Sequence, residues 1–284
     1  MIPTPFDYDR ATTLDEAIAK LAAANGSAKL IAGGHSLVPL MKLRLAEPKV
    51  LIDIGRVAGL SGIREENGRI EIGAGTVHHD VATSALVRGA CPVVTDAAGS
   101  IGDQQVRNCG TLGGSLAHAD PSADYPAAML AIDAELRIKG PRGWRSVKAT
   151  EFFRGLFTSD LAADEILASV TFSPARASAY CKLFQRASHF AIVGVAAALE
   201  VSNGKVHAAR IAVTGAGPTA IRLTRVEQAI AGQRVSKETL ADATKDAGAD
   251  VPVVNADLHA SEDYRRAMIS VFARRALEAA LQRT

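Results

Sequence analysis

Lys29-Leu30-Ile31-Ala32-Gly33-Gly34-His35-Ser36-Leu37 begins as a short apolar run, breaks at a glycine pair and leads into a helical stretch, 37 to 45, with one early proline, Pro39. Strand, glycine turn, helix is the order these residues dictate. Glycine carries no Cβ, so successive backbone N–H groups can converge into a concave nest, and a helix N-terminus adds unpaired donors and a favourable dipole. Phosphate oxygens suit such a site. A second passage, Gly110-Thr111-Leu112-Gly113-Gly114-Ser115, has the same ingredients. Two nests match a pyrophosphate, one phosphate to each, with the hydroxyls of Ser36, Thr111 and Ser115 as extra donors. Read singly, either pair is also an ordinary tight turn. Neither passage contains G-x-x-x-x-G-K-[ST], and no G-x-G-x-x-G follows a strand, so the P-loop and Rossmann readings fail.

Outward from this stretch, Leu14, Ala17, Ile18, Leu21 and Ala22 recur at helical spacing behind a capping box of Thr13 and Glu16. The sequence predicts strands at 29–32 and 50–54, a hairpin of 62–64 with 69–73, helices at 77–86 and 93–100, and a helix from about 122 to 132. Strands at 134–139, 144–147 and 165–172 close this half, with Ser173-Pro174-Ala175 as its boundary. Beyond it come strands at 179–185, 192–201 and 207–214, then helices at 223–231, 237–247 and 262–281. Antiparallel strands covered on one face by later helices make an α+β arrangement. No internal repeat or low-complexity tract appears.

The 284 residues, with 32 Lys+Arg against 30 Asp+Glu, 48% hydrophobic and 22% charged, have the composition of an ordinary soluble enzyme of two or three domains. A formal charge of +2 without a block of like charges speaks against nucleic-acid binding. Only three cysteines occur, Cys91, Cys109 and Cys181, with no C-x-x-C pair, which leaves neither a disulfide framework nor a four-thiolate cluster within the chain. The first residues lack a basic region and apolar run, and no apolar stretch reaches the ~20 residues needed to span a bilayer. These features predict a cytoplasmic protein.

Ala-Gly-Gly-His-Ser-Leu at 32–37, followed by Pro39-Leu40-Met41-Lys42, with Gly-Thr-Leu-Gly-Gly-Ser at 110–115 and Ala-His-Ala-Asp-Pro at 117–121, resembles the FAD-binding subunit of molybdenum hydroxylases. The likeness is to the medium chain of molybdenum-containing carbon monoxide dehydrogenase and its aldehyde- and xanthine-oxidising relatives. It runs from Ile2-Pro3 through Ile101-Gly102-Asp103 and Gln105-Val106-Arg107 to the last helix. The resemblance implies an α+β fold: a two-part FAD-binding domain of the vanillyl-alcohol-oxidase type at 1–173, with subdomains of about 1–55 and 56–173, then an α+β domain at 174–284 whose antiparallel sheet is covered by helices.

By the same resemblance, Ala32, Gly33, Gly34, His35, Ser36 and Leu37 in the first loop, and Thr111, Leu112, Gly113, Gly114 and Ser115 in the second, wrap the FAD pyrophosphate. Replacing Gly33 or Gly114 by Val is then expected to abolish flavin retention. Asp124 matches a carboxylate that accepts hydrogen bonds from FAD hydroxyls, although a first-turn helix carboxylate is its plain reading. Asp120 is also a routine helix opener. Lys182 matches a lysine that reaches the flavin end, or else is a solvated strand lysine. Ile166 and Leu167 match an apolar flavin contact and read equally well as a core strand. Phe190 stands where relatives carry Tyr or Trp near the isoalloxazine ring. There Ser188-His189-Phe190-Ala191 replaces a Gly-Asp-aromatic-Ala pattern, which puts carbon monoxide as substrate in doubt. Ser115 replaces the Asn common after the second Gly-Gly.

The remaining candidates are weaker. His78-His79-Asp80, and His118 with Asp120 and Asp124, have metal-ligand residue types but not a metal-ligand spacing. Cys109 has no base to activate it and reads as a small buried or semi-buried residue. Arg274-Arg275 reads as a solvated face. The implied function is an electron-transfer flavoprotein subunit: a large molybdenum-cofactor subunit oxidises substrate, a small [2Fe–2S] subunit conducts electrons, and FAD here passes them to an external acceptor, in a dimer of heterotrimers. The alternative is a free-standing flavin oxidase of the wider two-loop FAD superfamily, some of whose members tether FAD, here through His35.

Overall fold

The computed structural model describes residues 2–284; Met1 lies outside them. The elements in chain order are β1 (Asp7–Arg10), α1 (Leu14–Ala23), β2 (Ala28–Ile31), α2 (Leu37–Lys42), β3 (Val50–Asp53), β4 (Ile63–Glu66), β5 (Arg69–Gly73), α3 (His78–Thr83), α4 (Ala85–Ala90), α5 (Pro92–Ser100), α6 (Gln104–Arg107), α7 (Leu112–His118) and α8 (Tyr125–Ala131). They continue as β6 (Glu135–Gly140), β7 (Gly143–Lys148), α9 (Ala149–Phe152), β8 (Phe153–Gly155), β9 (Thr158–Ser159), β10 (Ile166–Phe172), β11 (Ser178–Phe184), β12 (Ala191–Ser202), β13 (Lys205–Thr214), β14 (Ile221–Arg222), α10 (Thr224–Ile230), α11 (Lys237–Thr244) and α12 (Glu262–Leu281).

The fold is α+β. β1, β3 and β2 form a small parallel sheet in that order, so the strand of the opening motif is an edge strand that ends in the first glycine turn. α1 starts where the capping residues place it: Thr13 Oγ1 accepts from Glu16 N at 3.1 Å. The reciprocal bond lands one residue early, on Thr12 N at 2.7 Å. A second sheet, β4-β5-β10-β6-β7, is antiparallel, with a bulge between Leu167 and Ser169 on β10.

The third sheet, β11-β12-β13-β14, is also antiparallel and is covered on both faces. The sequence reading put helices on one face only. Period-2 alternation along β12 sends Ala196 and Ala198 into the core shared with α5 and α8, and Val193, Val195, Ala197 and Leu199 into the core under α12. Double coverage explains why 191–199 is an unbroken apolar run. The face toward α8 is small, with Ala196, Ala198 and Ala212, so that the helix can approach closely.

Several predicted bounds change. The helix expected at 77–86 is two helices, because Ser84 leaves helical geometry and caps the second by accepting from Val87 N at 3.3 Å. The helix expected from 122 begins at Tyr125, and α7, which starts inside the second glycine passage, was not foreseen.

Candidate functional site

The two glycine passages, 77 residues apart at Gly33 and Gly110, touch. A Cβ on Gly33 would lie 2.1 Å from the carbonyl oxygen of Cys109 and 2.8 Å from the Cα of Gly110. Only glycine permits that approach. In the first passage the N–H groups of Gly33, Gly34, His35, Ser36 and Leu37 have no hydrogen-bond acceptor among the described residues. Gly34 has φ +69°, the left-handed conformation glycine adopts freely, and this turns the chain toward α2. His35 and Ser36 are exposed, and Ala32, Gly33, Gly34 and Leu37 are half-buried. A cluster of unsatisfied donors at a helix start is a cradle for anionic oxygens.

The second passage works differently, which corrects the picture of two equal nests. Leu112 N donates to Thr76 O at 2.9 Å, Gly113 N to Ala74 O at 2.7 Å, Gly114 N to Thr111 Oγ1 at 3.1 Å and Ser115 N to Thr111 O at 3.1 Å. These four amides are spent on closing α7 and docking it to the end of β5, and Thr111 N alone in the passage has no acceptor among the described residues. Gly113 is buried, and a Cβ there would lie 2.4 Å from that of Ala74. What faces outward is Gly114, exposed, and the half-buried Ser115. This passage offers bare backbone and hydroxyls to a ligand.

Asp124 and Lys182 meet. Lys182 Nζ donates to Asp124 Oδ1 at 2.8 Å and to Ser100 O at 2.7 Å, with side chains 4% and 5% exposed. This removes the solvated-strand reading of Lys182. Tyr180, on the same face of β11 two residues earlier, donates its hydroxyl to the same Asp124 oxygen at 2.6 Å. Burial pushes the Asp124 carboxyl up and the Lys182 ammonium down, each opposed by the other's charge. A carbonyl corner at 100–102 completes the cluster: Arg107 Nη1 donates to Ile101 O and Gly102 O at 2.9 Å, and His189 Nδ1 lies 2.9 Å from Gly102 O. Tyr180 was legible from its period-2 spacing to Lys182. Arg107 was noticed only as part of a motif.

Ile166 and Leu167 are buried core residues of β10, 2% and 5% exposed. They connect to the second passage indirectly, since Ala74 N donates to Ala168 O and Ala74 O accepts from Gly113 N. Phe190 is half-buried, edge-on to His259 at 5.5 Å between ring centres. Asp120 Oδ1 accepts from Ser122 N at 2.8 Å, which opens the turn before α8. Cys109 is exposed, contrary to the buried reading; its carbonyl, not its thiol, carries the contact with Gly33. Among the described residues no three His, Cys, Asp or Glu side chains converge as a metal set. Arg274 and Arg275 are exposed, Arg275 stacked 4.8 Å from the Phe272 ring centre.

His78 is a buried titratable group that the sequence reading set aside. It is 5% exposed, and its Nδ1 lies 3.2 Å from the Tyr125 hydroxyl. Burial first, then the charges of His35 and Arg107, lower its pKa from 6.5 to about 4. The unfolded chain therefore binds a proton between those values that the folded chain refuses. Stability is complete above pH 6.5 and falls as pH drops toward 4, by about 3 kcal/mol in all. His78→Gln should flatten urea-unfolding stability over that window; an unchanged slope would sink the assignment.

The family described as FAD binding domain in molybdopterin dehydrogenase matches residues 4–174, and the carbon monoxide dehydrogenase flavoprotein C-terminal domain matches 178–280. The chain belongs to this FAD-binding family. It is 39% identical to the carbon monoxide dehydrogenase medium chain of Hydrogenophaga pseudoflava, covering 100% of this chain and 99% of that one. It is 31% identical to the xanthine dehydrogenase FAD-binding subunit of Escherichia coli O157:H7, over 96% and 95% of the two chains. A solved structure of the Hydrogenophaga pseudoflava carbon monoxide dehydrogenase, lacking the Mo-pyranopterin moiety, matches with TM-score 0.95 and 40% identity over 100% of this chain and 99% of that one. The chain is thus an FAD-binding flavoprotein subunit of the molybdopterin-dehydrogenase type, an oxidoreductase component. No helix among the described residues is long and apolar enough to cross a membrane.

Proposed function

We propose that this chain is the electron-exit subunit of a cytoplasmic heterotrimeric molybdenum hydroxylase: it accepts electrons from iron–sulfur clusters in a small partner and passes them through FAD to an external acceptor. The observation that carries this reading is the set of five donor amides from Gly33 to Leu37, pressed by Gly33 against Cys109–Gly110. That cradle fits a dinucleotide's diphosphate. FAD supplies the exchange between one- and two-electron carriers. The chain's own residues bind and orient it: Gly33, Gly34, His35, Ser36 and Leu37 by amides, Thr111, Gly114 and Ser115 by hydroxyls and bare backbone. In this reading Asp124 and Lys182 would meet its polar groups, and Phe190, Ile166 and Leu167 would supply apolar contact with the ring system.

In the same reading, 1–173 is the FAD-binding domain, with subdomains of about 1–55 and 56–173, and 174–284 is the second domain. The partners are a large molybdenum-cofactor subunit and a small [2Fe–2S] subunit, assembled as a dimer of heterotrimers. Support comes from the chain's own poverty in ligands, with Cys91 buried, Cys109 exposed and Cys181 half-buried, all three free thiols, and no three metal-ligand side chains converging among the described residues.

Affinity purification from the native cells tests the proposal. Two partners, one containing molybdenum and one iron and labile sulfide, should copurify in equal amounts, and the flavin should leave with the supernatant when the protein is precipitated by acid. A flavin that stays with the precipitate, on a chain that purifies alone and oxidises substrate, would favour the free-standing oxidase tethered at His35.

A further inference from the structure

The second glycine passage has spent every amide but that of Thr111, yet a side-chain donor also stands at its edge. His78 heads α3, and its backbone N–H donates to Gly110 O at 2.9 Å, so the side chain is fixed beside the first residue of that passage. The Tyr125 side chain is fully buried, and Nδ1 of His78, at 3.2 Å, is its hydroxyl's partner among the described residues. A buried hydroxyl with one neighbour gives its proton to that neighbour, because an unmade bond costs more than a made one returns. Nδ1 is then the acceptor, and the neutral imidazole carries its proton on Nε2.

Neutrality is secured from every side. Burial disfavours the imidazolium most, electrostatic repulsion from the direction of His35 on the first loop and Arg107 on α6 adds to that, and Tyr125 on α8 is a hydroxyl held well above its ordinary pKa. Nε2–H therefore points outward from the Tyr125 bond as a donor, and it has no acceptor among the described residues. It rests against the bare Cα of Gly110, where a Cβ would come within 2.7 Å of Nε2. The Gly110 Cα in turn touches Gly33. The orphan donor thus stands at the junction of the two passages, beside the unpaired first-loop amides.

We propose that His78, held as its Nε2–H tautomer by Tyr125, donates a hydrogen bond to an anionic oxygen of the cofactor's diphosphate, taking the place of the amides the second passage has spent. This rests on the FAD reading above. It makes His78 a binding residue and Tyr125 its positioning residue.

The test uses the full chain freed of flavin, titrated with FAD and with ADP, which carries the diphosphate without the flavin. His78→Phe keeps the ring and removes the donor, and should weaken both ligands by roughly tenfold or more, the worth of a charge-assisted bond. His78→Gln places an amide N–H at similar reach and should recover most of that loss. Unchanged affinities in His78→Phe, or equal losses in both variants, would overturn the proposal. Should the Phe variant not fold, nitrogen-15 NMR of the unaltered protein decides: the Nε2–H signal must be present without ligand and must shift when ADP is added, and a signal on Nδ1, or one indifferent to ADP, defeats it. A chain that binds neither FAD nor ADP would defeat the FAD reading itself, whereas tight binding indifferent to His78 defeats only this inference.

Discussion

Gly33→Val should yield a protein purified without flavin. The new Cβ would fall 2.1 Å from Cys109 O, a backbone atom with no freedom to yield, so the first loop must separate from the second. Losing even two of the amide contacts to an anion costs about 3–6 kcal/mol, a drop in FAD affinity of roughly 10² to 10⁴. Reconstituting the apoprotein with FAD and following flavin fluorescence measures it. Gly114 separates from Gly33 in this respect. A Cβ there meets only the Thr111 hydroxyl, at 2.8 Å. Gly114→Ala should disturb the α7 cap, worth about 1 kcal/mol, and keep its flavin. Equal flavin loss in both variants would restore the picture of two equivalent nests and discard the asymmetry seen in the hydrogen bonds.

Lys182→Met should be the most damaging single change to stability. The ammonium and the Asp124 carboxylate are both buried, and removing one partner of such a pair leaves a charge without water or counter-ion, a loss of about 3–5 kcal/mol. The loss should depend on pH in a definite sense. Burial raises the Asp124 pKa above its unfolded value, and without Lys182 only the Tyr180 hydroxyl and the residue's own backbone N–H oppose that. A group with a raised folded pKa favours the folded state below its unfolded value and loses that advantage as pH climbs through the raised one. The variant should therefore be nearest to the parent in acid and furthest from it at neutral pH. The double change Asp124→Asn with Lys182→Met should cost less than the two single changes summed. Urea unfolding across pH reads all of this; additive losses, or a deficit that shrinks as pH rises, would show that the two groups are not coupled.

How much of this was legible depended on whether the cause of each feature lay nearby in the chain. α12 runs over the bounds its periodicity predicts, and α1 starts where Thr13 and Glu16 say, because period and cap are local signals. β1 went unseen: all four of its residues are exposed, so no alternation marks it. α7 was hidden by its own glycines. Inside a helix each glycine costs about 1 kcal/mol, and only the approach to Ala74, remote in sequence, gives Gly113 a reason to be there. The site divides along the same line. The first loop could be read as a cradle because its donors are consecutive. Asp124 and Lys182 were each singled out, but their pairing across 58 positions is a product of the fold. His78 was weighed as a metal ligand with His79, when its partner is Tyr125, 47 residues on.

The sheet of β11 to β14 is a shared wall. Because Tyr180, Ala196, Ala198 and Ala212 belong to the same apolar mass as the helices of the flavin-binding half, neither half has a finished surface of its own on that side. Cutting the chain near Pro174 would lay bare a strip of alanines that nothing in water replaces. Loss of cofactor grip and melting of the last hundred residues should therefore arrive as one event, and evolution could exchange this second half between relatives only together with the helices that lean on it.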